Sequence, residues 1–293
     1  MNALYRVTGT SKQAFHQYLD REMLVMEEQQ QLLPVLIQIR ADHPRLSARK
    51  MYLLLQPVGM GRDRFEQFCY GYGFKLAVKR SYHKTTDSLG VTRFENLIPG
   101  MELTGVNQAW VSDITYYRIG ERFYYITFIL DLYSRFIVGY AASNSLLTSQ
   151  TTIPALKMAL KLREPADGLI FHSDGGGQYY SKAFLAITRG KIRNSMCESV
   201  YENAHAERIN GTIKNDYLVY YSPQNYPQLV ILTAKAVNMY NINRPHSALG
   251  NKSPADYELS SIPILINKEK RSKKESCSNV ENSVEFTTLP QLQ

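Results

Sequence analysis

The chain has 293 residues, 44% apolar and 20% charged, a balance that supports packed cores and excludes global disorder. Its most apolar stretch, Phe123–Leu130, is far too short to cross a bilayer, and Met1–Thr10 lacks the basic-then-apolar pattern of a signal peptide. Three scattered cysteines, Cys69, Cys197 and Cys277, have neither metal-ligand nor disulfide-framework spacing, so the expectation is a cytoplasmic protein with no membrane partner. Lys and Arg number 34 against 26 Asp and Glu, a net +8, and residues 1–100 alone carry 14 basic and 9 acidic side chains. That concentration of positive charge in the first third points to a polyanionic partner there.

The first hundred residues read as helical. Helices are expected over Lys12–Met26 and Glu27–Ile39, with Pro44 ending the stretch. Ser47 can cap a helix that carries Met51, Tyr52, Leu54 and Leu55 on an apolar face. After the turn Pro57–Gly61 comes a helix with Phe65, Phe68 and Cys69 at i, i+3 and i+4, and with Arg62, Arg64 and Gln67 on its outer side. Two short helices joined by a glycine-containing turn, the second one basic, outline a helix-turn-helix over residues 1–78, with Arg62 and Arg64 as candidate DNA contacts. A fragment of residues 1–100 is accordingly expected to bind DNA by itself. Residues 79–106 read as a basic linker with Lys79, Arg80, Lys84 and Arg93.

At Asn107 the pattern changes. Ala109–Ile119, Phe123–Leu132 and Ser134–Ala142 read as three strands with tight connections, an antiparallel meander. A helix over Leu147–Leu162, a short buried strand Gly168–His172, a helix Ser181–Thr188 and a strand Ile192–Cys197 follow. The pattern is helical again over Glu202–Tyr220 and Pro227–Met239. The sum is an α/β domain over residues 107–262, a mixed sheet flanked by helices, with a polar, disordered tail over 263–293.

Three carboxylates stand in unusual settings. Asp113 interrupts the apolar strand Trp110-Val111-Ser112-Asp113-Ile114-Thr115-Tyr116, where a charge is costly unless paired or metal-bound. Asp174 ends the strand Ile170–Asp174 and precedes Gly175, Gly176 and Gly177, which let the backbone bend and a ligand approach. Glu207 sits on a helix with Asn203 one turn before it. Singly, each has an ordinary structural explanation: a buried ion pair, an Asx turn, a surface salt bridge. Jointly they suit two hard divalent cations held by oxygen ligands, Mg²⁺ (or Mn²⁺) in the absence of a Cys or His cluster.

The segments Trp110–Tyr116, His172-Ser173-Asp174-Gly175-Gly176-Gly177-Gln178-Tyr179, Glu202-Asn203-Ala204-His205-Ala206-Glu207-Arg208 and Asn243-Arg244-Pro245-His246-Ser247-Ala248-Leu249 resemble bacterial insertion-sequence transposases with a retroviral-integrase-like core, in particular the copy-out, paste-in group. Four ordered motifs across residues 35–260 carry the resemblance. It implies a ribonuclease H-like fold, a mixed five-stranded sheet, with Asp113, Asp174 and Glu207 as catalytic and metal-binding triad and Asp113 shared by both ions. It implies strand cleavage and strand transfer on double-stranded DNA, at terminal inverted repeats and target, by a nucleoid-associated homo-oligomer, with an upstream-frame DNA-binding subunit or fusion as a further partner. Two alternatives stay open: a nuclease on the same fold, and an impaired copy that only binds DNA. The sequence departs from the pattern in three places. Only 32 residues, 175–206, separate Asp174 from Glu207; Gly175 stands where relatives often carry Arg; and Ser47 stands where they often carry Gly.

Further residues are candidates for DNA contact, each with a structural alternative. His172 shares a strand face with Asp174, Gln178 follows the glycines, Arg208 and Lys214 follow Glu207, and Arg244 and His246 form a basic turn. Against these stand a backbone-bonded buried histidine, solvated helix charges and a capping turn.

Overall fold

The computed structural model describes residue 9 and residues 11–77, 94–197 and 203–261. Most of the expected basic linker and the whole of the expected tail beyond residue 262 lie outside the described residues. The chain divides into two compact units, one drawn from the first 86 residues with Thr212–Ser222, the other from Asp87–Gly211 with residues from Pro223 onward.

The helical unit begins with α1, Lys12–Asp42, capped by the Ser11 side chain accepting from the Ala14 amide. This is one helix where two were expected. The junction Met26–Gln31 is made of strong helix formers with no breaker, and Pro34 is accommodated within the helix rather than ending it. Helix α2, Ala48–Leu55, starts at Ser47, whose hydroxyl accepts from the Lys50 amide. The Ser found where relatives often have Gly is therefore an N-cap. Helix α3, Arg62–Gly71, buries Phe65, Phe68 and Cys69, as their spacing requires. These pack with Leu36, Leu46 and Met51 in one apolar cluster. The Arg40 guanidinium closes the unit by donating to the carbonyls of Pro44 (2.7 Å), Leu46 (3.1 Å) and Phe74 (2.8 Å). A segment distant in sequence completes it. Tyr217 is fully buried with its hydroxyl 2.9 Å from His43 Nδ1, and the Tyr221 hydroxyl donates to the Asp42 carbonyl.

The second unit is built on a five-stranded sheet in the order β3-β2-β1-β4-β5. Strands β1 (Ala109–Ile119), β2 (Arg122–Asp131) and β3 (Ile137–Ser143) form the antiparallel meander, and β4 (Leu169–Ser173) and β5 (Ile192–Met196) run parallel to β1. This mixed sheet with flanking helices is the ribonuclease H-like architecture. Helices α4 (Thr152–Arg163) and α5 (Lys182–Thr188) cover one face over Trp110, Ile129, Val138, Phe171, Tyr179 and Phe184. Gly139 permits the close approach of α4, because a Cβ there would overlap the Ala155 carbonyl. Helix α6 is Ala204–Thr212, and the chain then passes into a π-helical turn, Ile213–Leu218, so the expected single helix Glu202–Tyr220 changes pitch midway. Helix α7, Tyr226–Asn243, packs on β3, where the Asn241 amide pairs with both backbone groups of Ile137 beside a register shift at Ile129/Leu130.

Candidate active site

The parallel register between β1 and β4 ends at the pair Ser112–Ser173. The next residues along the two chains are Asp113 and Asp174, so adjacent strands deliver two carboxylates side by side to one end of the sheet. Asp113 is half-buried; its Oδ1 accepts from the Ile114 amide (2.8 Å) and its Oδ2 from Asn210 Nδ2 on α6 (2.7 Å). Burial, followed by the neighbouring Asp174 charge, pushes its pKa up to about 7; Glu207 adds to the rise, while the bonds from Ile114 and Asn210 oppose it. Asp174 is exposed, although the protein crowding its carboxyl raises its pKa as well, and it closes an Asx turn on the Gly176 amide at 3.0 Å. Glu207 is exposed on α6.

The turn after Asp174 explains one departure from the family pattern. Gly175 has φ +76°, and a Cβ built on it would overlap the Met196 side chain at the end of β5. Glycine is favoured there by backbone conformation and by space together.

The remaining predicted residues separate into groups. His172 is 1% exposed, with Nδ1 2.9 Å from Ser195 Oγ on β5. It is a core histidine joining two strands and does not face a phosphate. Arg244 is 8% exposed, and His246 pairs its backbone with Lys252 and sets its ring edge-on to Tyr240. In that turn Arg244 is buried at the C-cap of α7 and His246 half-buried, in keeping with the capping alternative. Gln178 ties the glycine turn to the Leu146 carbonyl, and Tyr179 packs in the core with its hydroxyl on Ser112 Oγ. Arg208 is exposed on α6. Lys214, half-buried in the π-helical turn, belongs to the helical unit, and burial lowers its pKa. Arg62 and Arg64 are exposed at the start of α3, with Arg62 bonded to Asp63 at 2.7 Å.

Reading the sequence for charges missed Asn210. An asparagine within a helix, one turn beyond a candidate carboxylate and on its face, was the available signal, because Asn is a poor helix former without a partner. His205, two residues before Glu207, is held neutral: burial, then the charges of Arg135 and Arg208, lower its pKa to about 4. Asp131 is fully buried but accepts from the amides of Asn107, Tyr133 and Ser134, which makes it an architectural acid. A cavity of about 540 Å³ lies at the opposite ends of β1 and β4, among Asn107, Gln108, Gly168 and Leu169, and none of the three carboxylates lines it.

Among the described residues no three His, Cys, Asp or Glu side chains are gathered closely enough to hold an ion. The donor set nonetheless fits hard divalent cations: the ligands on offer are carboxylate oxygens, and positive charge among them would offset the burial and, after it, the repulsion that raise Asp113.

Two models of the integrase core domain match the chain, over residues 104–199 and 189–254. The insertion element IS600 31 kDa protein of Shigella sonnei is 31% identical over 264 residues, which take in 86% of this chain and 96% of that protein. The chain belongs to the insertion-sequence transposases with a retroviral-integrase-like core. The transposase for IS629 of Shigella sonnei is 35% identical over 160 residues, 52% of each chain, so the match spans about half the length of that relative. Among solved structures, the HTLV-2 integrase catalytic core in complex with magnesium aligns with a TM-score of 0.44 at 22% identity, covering 56% of this transposase and 99% of that chain. No described helix of the transposase is long and apolar enough to cross a membrane.

Proposed function

We propose that this transposase cleaves DNA at the ends of its insertion sequence and joins the freed 3′-hydroxyl to a target strand, using Asp113, Asp174 and Glu207. The observation that carries the reading is the electrostatic convergence of the three carboxylates, in which the charges of Asp174 and Glu207 both act on Asp113. Both reactions are in-line displacements at phosphorus. The attacking oxygen, of water or of the 3′-hydroxyl, forms the new P–O bond as the leaving oxygen departs. Two Mg²⁺ or Mn²⁺ ions, when bound, activate the attacking oxygen and stabilise the leaving one. Asp113, on the middle strand, would be shared by both ions, and Asp174 and Glu207 would each hold one. The basic helical unit binds the ends of the element, with α3 the candidate recognition helix and Arg62 and Arg64 on its outer side. The protein acts on DNA as a homo-oligomer in the cytoplasm, associated with the nucleoid, and the upstream-frame product is its further partner.

The test is a joining assay with the full chain, DNA carrying the element's terminal inverted repeats, and Mg²⁺. The wild type is expected to nick and join, and Asp113→Asn, Asp174→Asn and Glu207→Gln to do neither while still binding DNA. Joining by a folded Glu207→Gln protein would defeat the assignment. Nicking without joining by the wild type would favour a nuclease, and DNA binding without cleavage an impaired copy.

A further inference from the structure

Helix α6 and the residue just before it, Asn203, touch β1 at two points about two turns apart. Asn203 Nδ2 donates to the Ser112 carbonyl at 3.1 Å, and Asn210 Nδ2 donates to Asp113 Oδ2 at 2.7 Å. The two asparagines stand four residues before Glu207 and three after it, so all three share one helix face, and their acceptors are consecutive residues of one strand. Both are almost fully buried, Asn203 at 2% and Asn210 at 7% exposure. In each amide the oxygen is buried and, among the described residues, accepts no hydrogen bond.

A buried carbonyl left unpaired costs about 1–3 kcal/mol, so what holds each amide in place is the bond its NH₂ end makes to β1. The Asn210 amide turns its NH₂ end to the carboxylate oxygen, which accepts the bond. At 2.7 Å the Asn210 bond is short.

We infer that Asn210 is a positioning residue: it holds the Asp113 carboxylate oriented for a divalent cation and, with Asn203, staples the Glu207 helix to the strand that carries Asp113. The inference rests on the proposed catalytic reading and adds to it the device that sets two of its three carboxylates against each other. The staple runs from the Glu207 segment directly to the consecutive β1 residues Ser112 and Asp113.

Partners of this kind around a metal ligand are worth roughly 10–100-fold in metal affinity when removed. The probe is Mn²⁺, titrated into the full-length protein and read as free Mn²⁺ by electron paramagnetic resonance, with a thermal melt of each variant. Asn210→Leu keeps volume and removes the donor; Mn²⁺ binding should weaken about 10-fold or more while the metal-free melt moves little. Asn210→Gln, which carries the donor one bond farther, should recover part of the affinity, and Asn203→Leu should weaken binding less than Asn210→Leu. If Asn210→Leu does not fold, Asn210→Ser, too short to reach Asp113, takes its place. Wild-type Mn²⁺ affinity in a folded Asn210 variant would overturn the inference, as would a large loss of melting temperature with affinity unchanged. Asp113→Asn distinguishes the two levels of the argument. If it binds Mn²⁺ like the wild type, the catalytic reading fails; if it loses Mn²⁺ while Asn210→Leu does not, only the positioning role fails.

Discussion

The two units treat their buried polar groups in opposite ways. Among the described residues of the helical unit, no buried side-chain nitrogen or oxygen goes without a partner. The half-buried Arg40 guanidinium reaches three carbonyls, and His43 meets Tyr217. The sheet unit buries the unpaired amide oxygens of Asn203 and Asn210, along with Trp110 Nε1 and the Thr127 and Thr233 hydroxyls, and sets the charges of Asp174 and Glu207 against Asp113. Satisfied groups hold an architecture together, and around Asp113 that satisfaction gives way to crowded charge.

The contrast is broken most severely if the triad proves dispensable. Asp113→Asn, Asp174→Asn and Glu207→Gln are each expected to reduce strand joining to background in a gel assay, with DNA binding retained. On the architectural side, Arg40→Met strands three carbonyls and should cost about 2–4 kcal/mol in a denaturant titration. A neutral result there would mean that the helical unit does not depend on its satisfied interior.

A third expectation concerns pH. The folded pKa of Asp113, about 7, lies above its ordinary value of 3.8, so the folded state binds the extra proton. Metal-free stability should therefore fall as pH rises from about 4 to about 7 and stay low above that window. Allowing for partial exposure, the loss is on the order of 2 kcal/mol. Asp113→Asn should flatten this slope in melts recorded across the range, and an unchanged slope would assign it to other groups. Gly175→Ala should destabilise by about 1 kcal/mol through its positive φ, and it should depress cleavage further because Met196 must move; stability and cleavage equal to wild type would remove the turn from the site. The smallest effect compares two neighbours on α3. Arg64→Ala should weaken DNA binding and lower the salt slope by about 1, and Arg62→Ala should do less, because Asp63 already shares the Arg62 charge. Equal losses in a salt-dependent binding titration would mean that the Asp63 pair opens on DNA.

Much of this was legible in the residues because local pattern carried it. The alternation over Ala109–Ile119 gave β1 its observed bounds, and Ser47 and the Phe65, Phe68, Cys69 spacing gave α2 and α3 their cap and buried face. What local pattern cannot carry is which cation ends up covered. His172, Arg244 and His246 read as DNA contacts because they lie near the motifs, yet strand pairing and helix packing bury or engage them. Asn210 was passed over for the converse reason: its partner is 97 residues away in sequence. The change of pitch after Thr212 also escaped, since Ile213–Leu218 has ordinary helical composition and only its tertiary partners distinguish it.

That same segment has a bearing on inheritance. The helical unit is discontinuous: Thr212–Ser222 completes it and follows the Glu207 helix with no intervening residue. A fragment ending near residue 100 lacks Tyr217 and Tyr221, and leaves His43 and the Asp42 carbonyl without those partners. A single recombination point in the region between the units would part Thr212–Ser222 from the rest of the helical unit, so that unit cannot be traded in one piece without losing the Tyr217 and Tyr221 contacts.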